Sequence, residues 1–157
     1  MTYAPILLFT YNRLTHTQHC IESLQQNLLA PDSELFIYSD AAKTKEQEDE
    51  VHAVRSYLHT IQGFKQITII ERKENWGLAR NIIDGVTTRV NAYGKVIVLE
   101  DDLIVAPHFL EFMNDALEVY KNELPETDKR FGGLYNNMAL ALVDLKQFDR
   151  ALKLYEK

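Results

Sequence analysis

Short apolar runs alternate along the chain with stretches of helical spacing. Four runs, Ile6–Tyr11, Leu35–Ser39, Ile67–Glu71 and Val96–Leu99, are rich in Ile, Val, Phe and Tyr and are bounded by polar or turn residues. Continuous rather than alternating apolar character predicts strands buried on both faces. Between them the apolar positions recur every three or four residues. Thr15 is the expected N-cap of a helix carrying Ile21, Leu24 and Leu28. Val51, Val54, Leu58 and Ile61 mark the next helix, and Leu78, Ala79, Ile82, Ile83, Val86 and Val90 the third. Pro107 opens the fourth, with Leu110, Met113, Ala116, Leu117 and Tyr120 on its stripe. Each pattern leaves one apolar face for a sheet.

Four strand–helix alternations predict an α/β fold with a parallel sheet. Consecutive right-handed crossovers with one reversal of direction give the strand order 3-2-1-4. In such a sheet a ligand sits beyond the carboxyl ends of the strands. The residues there are Asn12-Arg13, Asp40, Arg72 and Glu100-Asp101-Asp102.

Composition narrows the function classes. The 17 Lys and Arg against 23 Asp and Glu leave a net charge of −6, a poor match to a nucleic-acid partner. Cys20 is the single cysteine, which rules out an internal disulfide or a Cys-based zinc site. His16, His19, His52, His59 and His108 have no metal-ligand spacing among themselves or with Cys20. No apolar run approaches the roughly 20 residues of a membrane span. The expected setting is cytoplasmic or peripheral to the membrane. Past residue 122 the character changes. Residues 123–130 read as a linker around Pro125, and residues 131–157 as a helical hairpin turning near Lys146-Gln147.

The Glu100-Asp101-Asp102 triplet carries the chemistry. Adjacent carboxylates at a strand end repel one another, and a hard divalent cation would relieve the repulsion. At this point the chain resembles a nucleotide-sugar glycosyltransferase of the GT-A fold. The resemblance rests on Phe9-Thr10-Tyr11-Asn12-Arg13, on Ser39-Asp40-Ala41, on Asn75-Trp76-Gly77-Leu78-Ala79-Arg80-Asn81 and on the acidic triplet. These are similar to glycosyltransferase family 2. The run Leu99–Leu103 with Ala106-Pro107 and Phe109 also resembles the N-acetylglucosaminyltransferase I type, which uses Glu-Asp-Asp. The resemblance covers about residues 3–121 and implies a Rossmann-like nucleotide-binding half over residues 1–122. It implies Mn²⁺ or Mg²⁺ on Asp102, with Glu100 and Asp101 toward the ribose and the donor sugar. Asp40 would accept a hydrogen bond from the base, most often uracil. Thr10, Asn12 and Arg13 would line base and diphosphate, and Asn75, Gly77 and Arg80 would approach the nucleotide from the neighbouring helix.

The chain also departs from that pattern. No later strand and no second-half carboxylate base follows residue 122, so an incomplete acceptor site is expected. The tail resembles a tetratricopeptide repeat through Tyr135, Met138, Ala139, Leu142, Ala151 and Tyr155. One such repeat buries too little to stand alone. Met138, Leu142, Leu145, Leu152 and Tyr155 therefore need a partner surface, either the α/β layer or the tail of a second chain, and a homo-oligomer through these helices is the favoured arrangement. The function expected is a metal-dependent glycosyltransferase domain binding a nucleotide-diphosphate sugar. The alternative is a non-catalytic nucleotide-binding remnant with a helical interaction tail. A nucleotidyltransferase is disfavoured, because Asn12-Arg13-Leu14-Thr15 stands where its glycine-rich loop belongs.

Overall fold

A computed structural model of the chain describes residues 3–123. The expected linker beyond Glu123, the hairpin over residues 131–157 and any contact they make lie outside the described residues. The strands are β1 (Ile6–Thr10), β2 (Glu34–Ser39), β3 (Gln66–Glu71) and β4 (Ile97–Glu100). The helices are α1 (Leu14–Gln25), α2 (Glu48–Leu58), α3 (Leu78–Tyr93) and α4 (Phe109–Glu123). All strand pairs are parallel, in the expected order β3-β2-β1-β4. Leu8 lies beside Ile37 and Leu99, and Ile37 beside Ile69, so one apolar row crosses the whole sheet.

The pleat divides the core in two. Ile6, Leu8, Leu35, Ile37, Ile97 and Leu99 pack beneath Cys20, Ile21 and Leu24 of α1, Val54 and Leu58 of α2, and Leu110 and Met113 of α4. Leu7, Phe9, Phe36, Tyr38, Val96 and Val98 meet Ile82, Val86, Val90 and Tyr93 of α3 on the other face. Successive side chains point to opposite faces, so β1 and β2 must be apolar throughout. The change of face from α2 to α3 accompanies the jump from β3 to the far edge.

Several local expectations are corrected. Strand β3, one of the two edge strands, is only half-buried, with Gln66 and Glu71 exposed. Helix α1 starts at Leu14, so Thr15 sits inside it and Arg13 takes the cap position without a side-chain cap bond. The Thr17 hydroxyl donates back to the Arg13 carbonyl at 2.9 Å. Leu28 falls past the end of α1 and is 61% exposed; Leu78 and Ile83 are also exposed. A sheet-facing stripe of 82, 86, 90 and 93 turns position 83 about 100° aside. Pro107 lies in the turn before α4 rather than in its first turn.

Two buried asparagines dock α4. Asn27 accepts from the Leu110 N–H at 3.0 Å, and Asn114 accepts from the Ala4 N–H at 2.9 Å. Cys20 is buried under the same layer, and burial, then Asp101 and Asp102, push its thiol up to about 12. Only the thiolate is a good nucleophile. Cys20 will therefore resist iodoacetamide at pH 8 in the folded protein and react once guanidinium unfolds it. Alkylation followed by mass spectrometry reads this; rapid native labelling would contradict the packing.

Candidate functional site

A cleft of about 360 Å³ opens at the carboxyl edge of the sheet. Thr10 forms its floor where β1 ends, Asp40 follows β2, and the turn Asn75–Gly77 with Leu78 and Asn81 forms one wall. Glu100 and Asp101 close the opposite end beyond β4. Phe9 and Tyr38, neighbours in the β1–β2 register, stack at 5.0 Å between ring centroids and supply an apolar surface. The Thr10 hydroxyl is buried here with no hydrogen-bond partner, the only side-chain polar atom of that kind among the described residues. A buried hydroxyl without a partner costs about 1–3 kcal/mol.

Asp40 organises the wall. Its Oδ1 accepts from the Ala41 and Trp76 N–H groups, each at 2.9 Å, and its Oδ2 accepts from Gly77 N–H at 2.8 Å. Asn75 donates to the Ala41 carbonyl at 2.7 Å, tying the same two loops together. Gly77 has φ +74°, the left-handed region that favours glycine, and this turns its N–H toward the carboxylate. The Trp76 ring lies between the guanidinium groups of Arg72 and Arg80, at 3.7 and 3.9 Å from its centroid. Arg72 also donates to Asn81 at 2.9 Å and pairs with Asp84 at 2.5 Å, fastening β3 to α3. From α2, Arg55 donates to the carbonyls of Asp40 at 3.2 Å and Arg72 at 2.8 Å. One arginine thus satisfies backbone acceptors that the ends of β2 and β3 leave over.

The other end is acidic. Asp101 is buried and pairs with Arg13, while the Thr17 hydroxyl lies 3.5 Å from its second oxygen. Asp102 is half-exposed and meets the same Arg13 nitrogen at 3.2 Å. Burial first, then the charges of Asp102 and Asp101, raise the Glu100 carboxyl above the ordinary range, with Arg13 opposing them. Among the described residues no group of three or more His, Cys, Asp or Glu side chains could hold a metal ion alone. Hard carboxylate oxygens on Glu100 and Asp102 do suit Mg²⁺ or Mn²⁺, which take one or two protein carboxylates plus substrate phosphates. Two carboxylates alone leave such an ion short of ligands, so its remaining oxygens would have to come from outside the chain.

Of the residues singled out in the sequence, Thr10, Arg13, Asp40, Asn75, Gly77, Glu100 and Asp101 line the cleft together. Three do not. Asn12 turns away and donates to Glu50 at 2.6 Å; Arg80 lies over Trp76 beside Glu74; Asp102 sits outside the lining. Tyr38 and Lys43 also line the cleft without having been singled out. Period-2 spacing places Tyr38 on the same face as Asp40, a signal available in the sequence. Tyr11, another unanticipated lining residue, anchors the Lys43 loop, accepting from the Lys43 N–H at 2.9 Å and donating to Gln47 at 2.6 Å.

Two solved structures share this architecture. The crystal structure of S. aureus TarS superposes with a TM-score of 0.50 at 13% identity, over 76% of this chain and 20% of that one. The crystal structure of S. aureus TarS 1-349 gives 0.52, 13%, 76% and 32%. The likeness is one of fold, and this chain spans a third or less of either. No curated protein matches the chain. No helix among the described residues is long and apolar enough to cross a membrane. Residues 6–155 match the family model for Glycosyl transferase family 2. With the parallel sheet in the expected order and nearly the whole length matched, the chain belongs to glycosyl transferase family 2.

Proposed function

We propose that the cleft binds the nucleoside diphosphate of a sugar donor, a UDP-sugar, and that the chain serves glycosyl transfer. The observation that carries this reading is the buried, unpartnered Thr10 hydroxyl in the cleft floor, between an apolar ring surface and an acidic end. A planar base suits the Phe9–Tyr38 end. There Thr10 supplies a free donor and acceptor, and Oδ2 of Asp40 keeps acceptor capacity for a ring N–H. The Trp76 and Gly77 N–H groups hold Asp40 in that position. The diphosphate then runs toward Glu100 and Asp102, which would hold the divalent cation. A bound cation neutralises charge developing on the leaving diphosphate.

The reading has a two-sided test. Thr10→Val removes an unsatisfied polar atom at nearly constant volume. The apo protein should gain about 1 kcal/mol of stability, while calorimetric titration with UDP and Mn²⁺ should show binding weakened roughly tenfold, or 1.4 kcal/mol. Asp102→Asn should abolish the increase in UDP affinity that Mn²⁺ produces. A Thr10→Val protein that gains stability and binds UDP unchanged would remove the support for this site.

A further inference from the structure

Arg13, read from the sequence as a residue of the base and diphosphate, lines the cleft with its guanidinium on the acidic turn. A single nitrogen, Nη2, contacts an oxygen of Asp101 and an oxygen of Asp102. The two contacts are unlike. The Asp101 side chain is only 4% exposed and that of Asp102 43%. A buried carboxylate must keep a counter-charge, because losing it strands an ion in low dielectric. A half-exposed pair at 3.2 Å is worth little, since water competes for both partners. Arg13 is thus firmly held by Asp101 and loosely held by Asp102. Its backbone supports this, since it caps α1 without spending its side chain there.

We infer that Arg13 is the resident counter-cation of the acidic turn, a positioning residue that competes with a divalent cation for Asp102. This rests on the proposed nucleotide-sugar site and goes beyond it by dividing the triplet into separate tasks. Asp101 anchors Arg13 and stays paired. Asp102 exchanges partners, leaving the guanidinium for the ion. Without a nucleotide the positive charge of Arg13 keeps ion affinity low. The phosphate oxygens of the donor then supply the negative charge that tips the exchange. The acidic end is in this way kept from holding a divalent cation tightly in the absence of donor.

Mn²⁺ titration followed by electron paramagnetic resonance, with no nucleotide present, tests this on the full chain. Arg13→Gln should bind Mn²⁺ roughly tenfold more tightly than the unmodified protein, because one nearby positive charge is gone. Arg13→Lys should restore the weak binding. Arg13→Gln also leaves Asp101 buried and unpaired, so the comparison is repeated in an Asp101→Asn background. There the added Arg13→Gln change should still tighten Mn²⁺ binding, by less than about tenfold, because Arg13 has lost the anchor that holds it beside Asp102. A loss of packing alone would not tighten ion binding in either background. Unchanged nucleotide-free Mn²⁺ affinity in both backgrounds, with Mn²⁺-dependent UDP binding intact in the unmodified protein, overturns the role of Arg13 alone. If Arg13→Gln weakens UDP binding and leaves Mn²⁺ affinity unchanged, Arg13 is a diphosphate ligand and the inference falls. Absence of Mn²⁺ binding to the unmodified protein even with UDP overturns the proposed site and this inference together.

Discussion

Asp40→Ala will unfold at a much lower denaturant concentration than the unmodified protein and will lose UDP binding. The carboxylate accepts three backbone N–H bonds, two of them from the Trp76–Gly77 turn across the cleft. Hydrogen bonds to a charged acceptor contribute about 1.5–3 kcal/mol each, and water reaches part of this turn once the side chain is gone. The expected loss is roughly 3 kcal/mol, a fall of about 10 °C in Tm for a domain of this size. Asp40→Asn keeps one carbonyl oxygen but presents an amide to a backbone donor, so it should fall between. Urea melts of both variants decide the matter. If Asp40→Ala unfolds as the unmodified protein does, the turn is held by the Arg72–Trp76–Arg80 stack without help from the carboxylate.

Gly85→Leu will cost about 3 kcal/mol, through overpacking rather than backbone strain. Gly85 is a buried position of α3 that faces the sheet. A Cβ built there would lie 2.9 Å from the Phe9 ring and 3.0 Å from the Tyr38 ring. Those rings are stacked on each other in the core, so neither tip can swing freely. Gly85→Ala should cost less, about 1 kcal/mol, because roughly 1 kcal/mol of gained helix propensity offsets part of the clash. Both rings line the cleft, so UDP affinity should fall with stability in the same order. Thermal melts and UDP titrations of the pair check it. A stabilised Gly85→Ala protein would mean that α3 can move off the sheet at little cost.

The effects at Asp40 and Gly85 differ in how far the sequence foretold them. Asp40 was legible, because a residue directly after a buried parallel strand must sit at the ligand-bearing edge. Its two partners across the cleft were not, since Trp76 and Gly77 lie 36 and 37 positions away. Gly85 gave no sign at all. It falls on a stripe of Ile82, Val86 and Val90, and closeness of helix to sheet is not written in spacing.

Periodicity determined the four strands and four helices, and their alternation with the right-handed crossover rule determined the parallel sheet and its order. The elements follow from which positions are apolar, because a pleat repeats every two residues and a helix every 3.6. The residues at the carboxyl edge followed from that topology. Tertiary structure alone decided where their side chains point. It turned Asn12 to Glu50 and laid Arg80 on Trp76, and it spent Arg13 on Asp101. The reason is that long polar side chains have several staggered states of nearly equal energy. Which one is occupied depends on the charge or ring that another part of the chain brings within reach, and 88 positions separate Arg13 from the carboxylate that holds it.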